Sequence, residues 1–173
     1  VIELQARLST LLLIRSLEQE LGNAAPADEP LSKDSTFNPV VWMASTNQSL
    51  SLRITAQLER EGFMAKTFEG LAPLSEALEA DLLPDLLILE HDPKDGDAVE
   101  VSRRIRGAEA TAHVPILMLV LDGDLKTELN EAPCGASEFL GKNPDAADLR
   151  QRMKILLRLS MLESARRVNR LKV

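Results

Sequence analysis

Six apolar residues near the start of the chain, Leu4, Leu8, Leu11, Ile14, Leu17 and Leu21, recur at steps of three and four. That period predicts an amphipathic helix over residues 2–21, closed by Gly22-Asn23. Residues 24–38 hold two prolines among Ser, Thr, Asp and Asn with little periodicity, and read as a linker. From Pro39 onward, short apolar runs alternate with helix-period stretches. Val40 to Ala44 predicts a strand, and Leu50, Ile54 and Leu58 mark a helix face ending at Gly62. Phe63 to Phe68 predicts a second strand, and Leu71, Leu74 and Leu78 a short helix. Leu86 to Leu89 is an unbroken apolar run, as a strand shows when both of its faces are covered. Ala98, Val101 and Ile105 mark a third helix of this region, and Pro115 to Val120 a fourth strand. A weak helix around Leu125 and Leu129, a strand at Ser137 to Gly141 and a last helix from near Asp145 complete the pattern. Repeated βα units predict the α/β class: a doubly wound, five-stranded parallel sheet with helices on both faces.

Charge sharpens the division. Residues 1–38 carry 3 basic and 6 acidic residues, residues 39–144 carry 9 and 18, and residues 145–173 carry 8 and 3. A net charge of −7 argues against whole-chain affinity for nucleic acid or an anionic membrane, so proteins are the expected partners. The single cysteine, Cys134, excludes an internal disulfide framework and a multi-thiolate zinc site, and suits a reducing, cytoplasmic compartment. Apolar runs such as Leu11 to Ile14 and Pro115 to Leu121 are too short to span a bilayer. With Val at position 1 and no leader pattern, the chain reads as part of a longer protein.

The two ends share a pattern. Leu4 to Glu18 aligned with Leu149 to Glu163 matches Leu4, Arg7, Leu11, Leu12, Leu17 and Glu18 with Leu149, Arg152, Leu156, Leu157, Leu162 and Glu163. If this is a true repeat, residues 1–22 are the last helix of a preceding domain, 23–38 a linker, 39–160 a whole domain and 161–173 a helical extension.

In open α/β sheets the chemistry sits at the carboxyl ends of the strands. The segments Pro-Asp-Leu-Leu-Ile-Leu-Glu at 84–90, Asp-Pro-Lys-Asp-Gly at 92–96, Val-Pro-Ile-Leu-Met-Leu-Val at 114–120 and Gly-Ala-Ser-Glu-Phe-Leu-Gly-Lys at 135–142 follow in that order. This series resembles the CheY-like receiver domain of bacterial response regulators. The resemblance implies a flavodoxin-like fold and a site of four parts. Two acidic residues after the first strand hold Mg²⁺, and an Asp at the end of the third accepts a phosphoryl group. A Thr or Ser after the fourth binds its oxygens, and a Lys after the fifth neutralises them. A hard cation requires carboxylate oxygens, and the charge on a transferring phosphoryl group requires cationic and hydroxyl partners.

Carried over position by position, the sequence offers Ser45 and Thr46 for the acidic pair, Glu90 for the acceptor, Val120 for the hydroxyl and Lys142 for the lysine. Only the lysine matches. Glu in place of Asp moves a carboxylate outward by on the order of 1.5 Å, and misplacement on that scale costs about 100-fold in a positioned reaction. Lys142-Asn143-Pro144 departs from the Lys-Pro of the family, which removes the basis for expecting its cis peptide bond here. The expectation is a degenerate receiver with no catalytic residues, no metal and no cofactor, in which Glu90 pairs with Lys142.

Other features have plainer readings. His91, Asp92, Asp95 and Asp97 lack the spacing of a calcium loop and read as a solvated turn on Asp95-Gly96. Gly141-Lys142 does not match a phosphate loop, since Asn143 stands where Ser or Thr belongs and five residues instead of four separate Gly135 from Gly141. His113 has no assigned role, and Cys134 reads as a small residue before a strand. Two alternatives remain open: a phospho-accepting receiver using Glu90 or Asp92, and a flavodoxin-like module with Ser45-Thr46-Asn47-Gln48-Ser49 as its phosphate loop. The absence of Tyr weighs against the flavin reading.

On the last helix, Leu157, Met161, Ser164, Val168 and Leu171 step by four and three, as a coiled-coil seam does. Nothing in its basic tail looks like the reading helix of a DNA-binding motif. A degenerate receiver between two such helices resembles the second receiver of PleD-type regulators, in which a GGDEF diguanylate cyclase domain follows. That resemblance implies a homodimer, a preceding receiver and a downstream output domain as partners, and a histidine kinase acting through the adjacent receiver. The expected interface comprises Leu125, Leu129, Phe139, Leu157, Met161 and Val168.

Overall fold

A computed structural model of the chain describes residues 2–22, 38–80, 82–120 and 135–171. The elements in chain order are α1 (Ile2–Glu20), β1 (Val40–Ala44), α2 (Gln48–Arg60), β2 (Met64–Phe68), α3 (Leu71–Ala77), β3 (Leu86–Glu90), α4 (Ala98–Gly107), β4 (Ile116–Val120), β5 (Glu138–Gly141) and α5 (Ala146–Leu171). The strands form one parallel sheet in the order β2-β1-β3-β4-β5, the doubly wound architecture that the alternating pattern predicts. The weak helix expected around Leu125 and Leu129, the residue Cys134, and most of the expected linker lie outside the described residues.

Side chains alternate across the sheet with the period of two that strands impose. Val41, Met43, Leu86, Ile88, Leu117 and Leu119 point to the layer holding α2 and α5, where they meet Leu50, Ile54, Leu58, Leu149, Met153 and Leu156. Trp42, Ala44, Leu87, Leu89, Met118 and Val120 point to the layer of α3 and α4, against Leu71, Leu74, Ala98, Val99 and Ile105. All residues of β3 and β4 are buried, which explains their unbroken apolar sequences. β2 is an edge strand, and Lys66 on it extends over the rings of Trp42 and Phe68.

Local chemistry ends the helices where the sequence indicates. Asn47 caps α2 by accepting from the Leu50 amide at 3.1 Å. At the other end Gly62, at φ 87°, allows the chain to turn so that the Phe63 amide reaches the Leu58 carbonyl at 3.0 Å. Asp97 caps α4 by accepting from the amides of Val99 and Glu100.

The packing at the helical ends differs from the sequence pattern in two places. In α1 the buried residues are Thr10 and Leu17, whereas Leu4, Leu8, Leu11 and Leu12 are exposed. Only the carboxyl-terminal part of the predicted stripe packs: Leu17, with Ile14 and Leu21 beside it, meets Leu159 and Leu162 of α5. α1 thus docks on the chain's own domain. Thr10 donates to the Ser137 carbonyl at 2.7 Å, and Arg158 and Arg166 of α5 pair with Glu18 and Glu20. The second difference concerns the expected interface. Phe139 and Leu157 are 0% and 1% exposed, because β5 turns Phe139 into the α3–α4 layer and α5 lays Leu157 on the sheet. Met161, Val168 and Leu171 are exposed, and α5 runs on to Leu171 as expected.

Candidate functional site at the strand tips

The carboxyl ends of β1, β3, β4 and β5 bring Ser45, Glu90, Val120 and Lys142 together. Ser45 follows β1 and is buried, with its amide held by the Phe68 carbonyl. Its hydroxyl donates to Glu90 Oε2 in a short hydrogen bond and accepts from the Asn47 amide at 3.0 Å. Thr46, the other residue read onto the acidic pair, is exposed. Glu90 ends β3 and is 3% exposed, and its Oε1 lies 3.1 Å from Lys142 Nζ. The pairing expected between Glu90 and Lys142 is therefore present, with Ser45 as its third member.

Lys142 is fixed from both sides. Its amide donates to the Val120 carbonyl at 3.0 Å, continuing the β4–β5 ladder. Arg53 on α2 donates to the Lys142 carbonyl at 2.7 Å and to Asn143 Oδ1 at 2.9 Å. Val120 is fully buried and offers only methyl groups where a hydroxyl would be needed. The peptide bonds of the described residues are all trans, those of Lys142-Asn143-Pro144 included.

The acidic loop after β3 is a set of helix caps. Asp95 reaches across to accept from the Leu71 amide at the start of α3, at 3.2 Å. Burial is the main cause that pushes the Asp95 pKa above the usual carboxylate value; the Leu71 amide opposes this, and the charges of Asp92 and Glu90 add to it. Asp92 accepts from the Lys94 amide within its own turn at 3.0 Å. His91 is buried at the strand end, its amide on the Leu119 carbonyl.

The donor set does not fit Mg²⁺. A hard cation needs several oxygens, and of the strand-tip groups Glu90 alone is a carboxylate, one oxygen facing an ammonium and the other holding a hydroxyl proton. Asp92 and Asp95 are turned to backbone amides. Among the described residues no three His, Cys, Asp or Glu side chains converge as a metal site.

Three arginines tie the elements of the fold together, a role that the sequence pattern assigned to none of them. Arg53 ties the loop after β5 to α2. Arg106 on α4 donates to the carbonyls of Gly135 and Ala112, each at 2.8 Å, and to Ser137 Oγ at 2.8 Å, joining α4 to the entry of β5. Arg152 on α5 meets the fully buried Glu138 at 2.6 Å. At the foot of the sheet Arg167 lies 2.7 Å from His113 Nε2. Burial first, then Arg167 and Arg106, pushes the His113 imidazole below its usual value.

Comparisons with known proteins agree with this geometry. No protein-family model matches the chain. It is 28% identical over 121 residues to the DNA-binding dual master transcriptional regulator RpaA of Synechocystis, covering 69% of this chain and 49% of that one. It is 29% identical over 120 residues to the phosphate regulon transcriptional regulatory protein PhoB of Rhizobium meliloti, covering 69% and 52%. The chain thus spans about half the length of the curated relatives it matches. Among solved structures, the chemotaxis response regulator CheY4 of Vibrio cholerae superposes with a TM-score of 0.59 at 20% identity, over 69% of this chain and 99% of that one. An adenylate cyclase structure from Rhodopirellula baltica superposes with a TM-score of 0.67 at 18% identity, over 79% and 100%. Sheet order and layers give the chain the flavodoxin-like fold of CheY-type receivers, and its sequence is similar to about half of each of these transcriptional regulators. Among the described residues no helix is long and apolar enough to cross a membrane.

Proposed function

We propose that this receiver domain acts without phosphoryl transfer, as an adaptor that relays a signal through contacts with neighbouring domains. The observation that carries the reading is the closed triad at the strand tips. The carboxylate in the acceptor position has its two oxygens taken by Lys142 and Ser45, and Val120 supplies no hydroxyl. A negative charge held permanently beside the lysine removes the need for a phosphoryl group to supply one. Receivers switch by shifting a population between surface arrangements, so a domain fixed at its strand tips would contribute a constant docking face.

Its partners in this reading are a preceding receiver that a histidine kinase phosphorylates, a second subunit, and an output domain reached through the extension of α5. Exposed Met161 and Val168 on that extension support a helical contact there. Leu125 and Leu129 are retained as part of the proposed dimer surface. The PleD-type arrangement makes the output a diguanylate cyclase, supported by the resemblance of a degenerate receiver flanked by two similar helices. A thermal-shift titration with Mg²⁺ and beryllium fluoride tests the adaptor reading. The expected result is no shift at saturating reagent; a saturable rise that Glu90→Gln abolishes would establish the phospho-accepting alternative.

A further inference from the structure

The bare stripe of α1 has a counterpart within the same molecule. At the repeat offset of the two terminal helices, Leu4, Leu8, Leu11 and Leu12 correspond to Leu149, Met153, Leu156 and Leu157 of α5. The four residues on α5 are 0–1% exposed, laid on the sheet, while those on α1 are 71%, 54%, 45% and 57% exposed. The remaining faces behave alike. Ile14 and Leu17 of α1 meet Leu159 and Leu162 of α5, and these pairs are also equivalent at that offset. The two helices therefore meet through the same face, and among the described residues only α5 has a sheet against its other face.

Resting on the tandem reading above, we propose that the bare face of α1 seats on the sheet of a second receiver-type domain preceding Ile2 in the intact protein, as α5 seats on the sheet described here. Charge points to the same occupant. Arg7 stands in the place of Arg152, whose guanidinium is held by the buried Glu138 on β5, so the occupant is expected to present a carboxylate on its last strand. The stripe's shape agrees too. Positions 4, 8, 11 and 12 make the broad face of a helix lying on a sheet, wider than the two-position seam of a helix pair.

The test labels Leu8→Cys and Leu12→Cys with a maleimide, in this chain and in the intact protein, and reads each site by mass spectrometry. Leu52→Cys is the control, since its position is exposed on α2 and no covering is proposed for it. The expected result is fast reaction at all three sites in this chain. In the intact protein positions 8 and 12 should react about a hundredfold more slowly while Leu52→Cys is unchanged, because a covered site reacts only from its opened population. Equal rates in the two proteins overturn the proposal. Protection in this chain that grows with concentration overturns it in favour of a second copy as occupant. An upstream reading frame without a receiver-type sheet overturns it as well. Labelling does not depend on phosphorylation, so a strand tip that accepted phosphate would sink the adaptor reading and leave this result standing.

Discussion

Removing both members of the Glu90–Lys142 pair should cost clearly less than the sum of removing each alone. At 3.1 Å and the effective dielectric of about 20 that suits such sites, the gross attraction is about 5 kcal/mol. Part of that offsets desolvation, because the side chains of Glu90 and Lys142 are only 3% and 13% exposed. Lys142→Met leaves the carboxylate buried with only the Ser45 hydroxyl, and is expected to cost about 2–4 kcal/mol. Glu90→Gln keeps an acceptor for Ser45 and Lys142 and should cost about 1–3 kcal/mol. The double variant should recover about 1.5–3 kcal/mol relative to the sum. Urea unfolding of the four proteins, with the slope unchanged among them, measures the cycle. A coupling within about 0.3 kcal/mol of zero would refute the view that the strand tips are closed by this pair.

Three further outcomes are expected. At Gly135 an added Cβ would collide with the Ser102 carbonyl oxygen, a backbone atom, so Gly135→Ala should cost about 3 kcal/mol or more in chemical denaturation; a loss under about 1 kcal/mol would contradict the packing of α4 on the entry to β5. The fold favours neutral His113, so its contribution is complete above the ordinary imidazole value of about 6.5 and is lost as the pH falls through the lowered folded value. Melting points should therefore fall more steeply between about pH 7 and 5 in the parent than in His113→Gln, and equal slopes would exclude this source. Asp95 has the opposite sign: its raised folded value contributes stability only at acid pH, lost as the pH rises through that value. Asp95→Asn, which keeps an acceptor for the Leu71 amide, should raise the melting point at neutral pH and lose that advantage in acid; a lower melting point at both would contradict it.

The sheet was legible because burial on two faces leaves a run such as Leu86 to Leu89 no alternative to a central strand, and each helix face carried its leucines at helical steps. The tip residues were legible through strand ends alone, and so was the Glu90–Lys142 pairing, since β3 and β5 flank β4 and their tips converge. What the pattern could not reveal were contacts made by long polar side chains between distant segments. Arg106 and Arg53 have nothing in their spacing to distinguish them from surface arginines. Asp95 reads as a turn residue because its partner, the Leu71 amide, is 24 positions away. Leu157 reads as outward because a seam and a core face share the same step of three and four, and Phe139 because strand alternation does not say which side of the sheet a residue takes; only the packed sheet decides both. The period of α1 likewise does not say which part of its stripe packs; Ile14, Leu17 and Leu21 meet α5.

On the adaptor reading the strand tips take up no phosphoryl group. Incubating the chain with acetyl phosphate and Mg²⁺ and weighing it intact puts this to the test. An unchanged mass is expected under conditions that phosphorylate an active receiver run in parallel. A gain of one phosphoryl group, mapped to Glu90 or Asp92 and lost on its substitution, would contradict it.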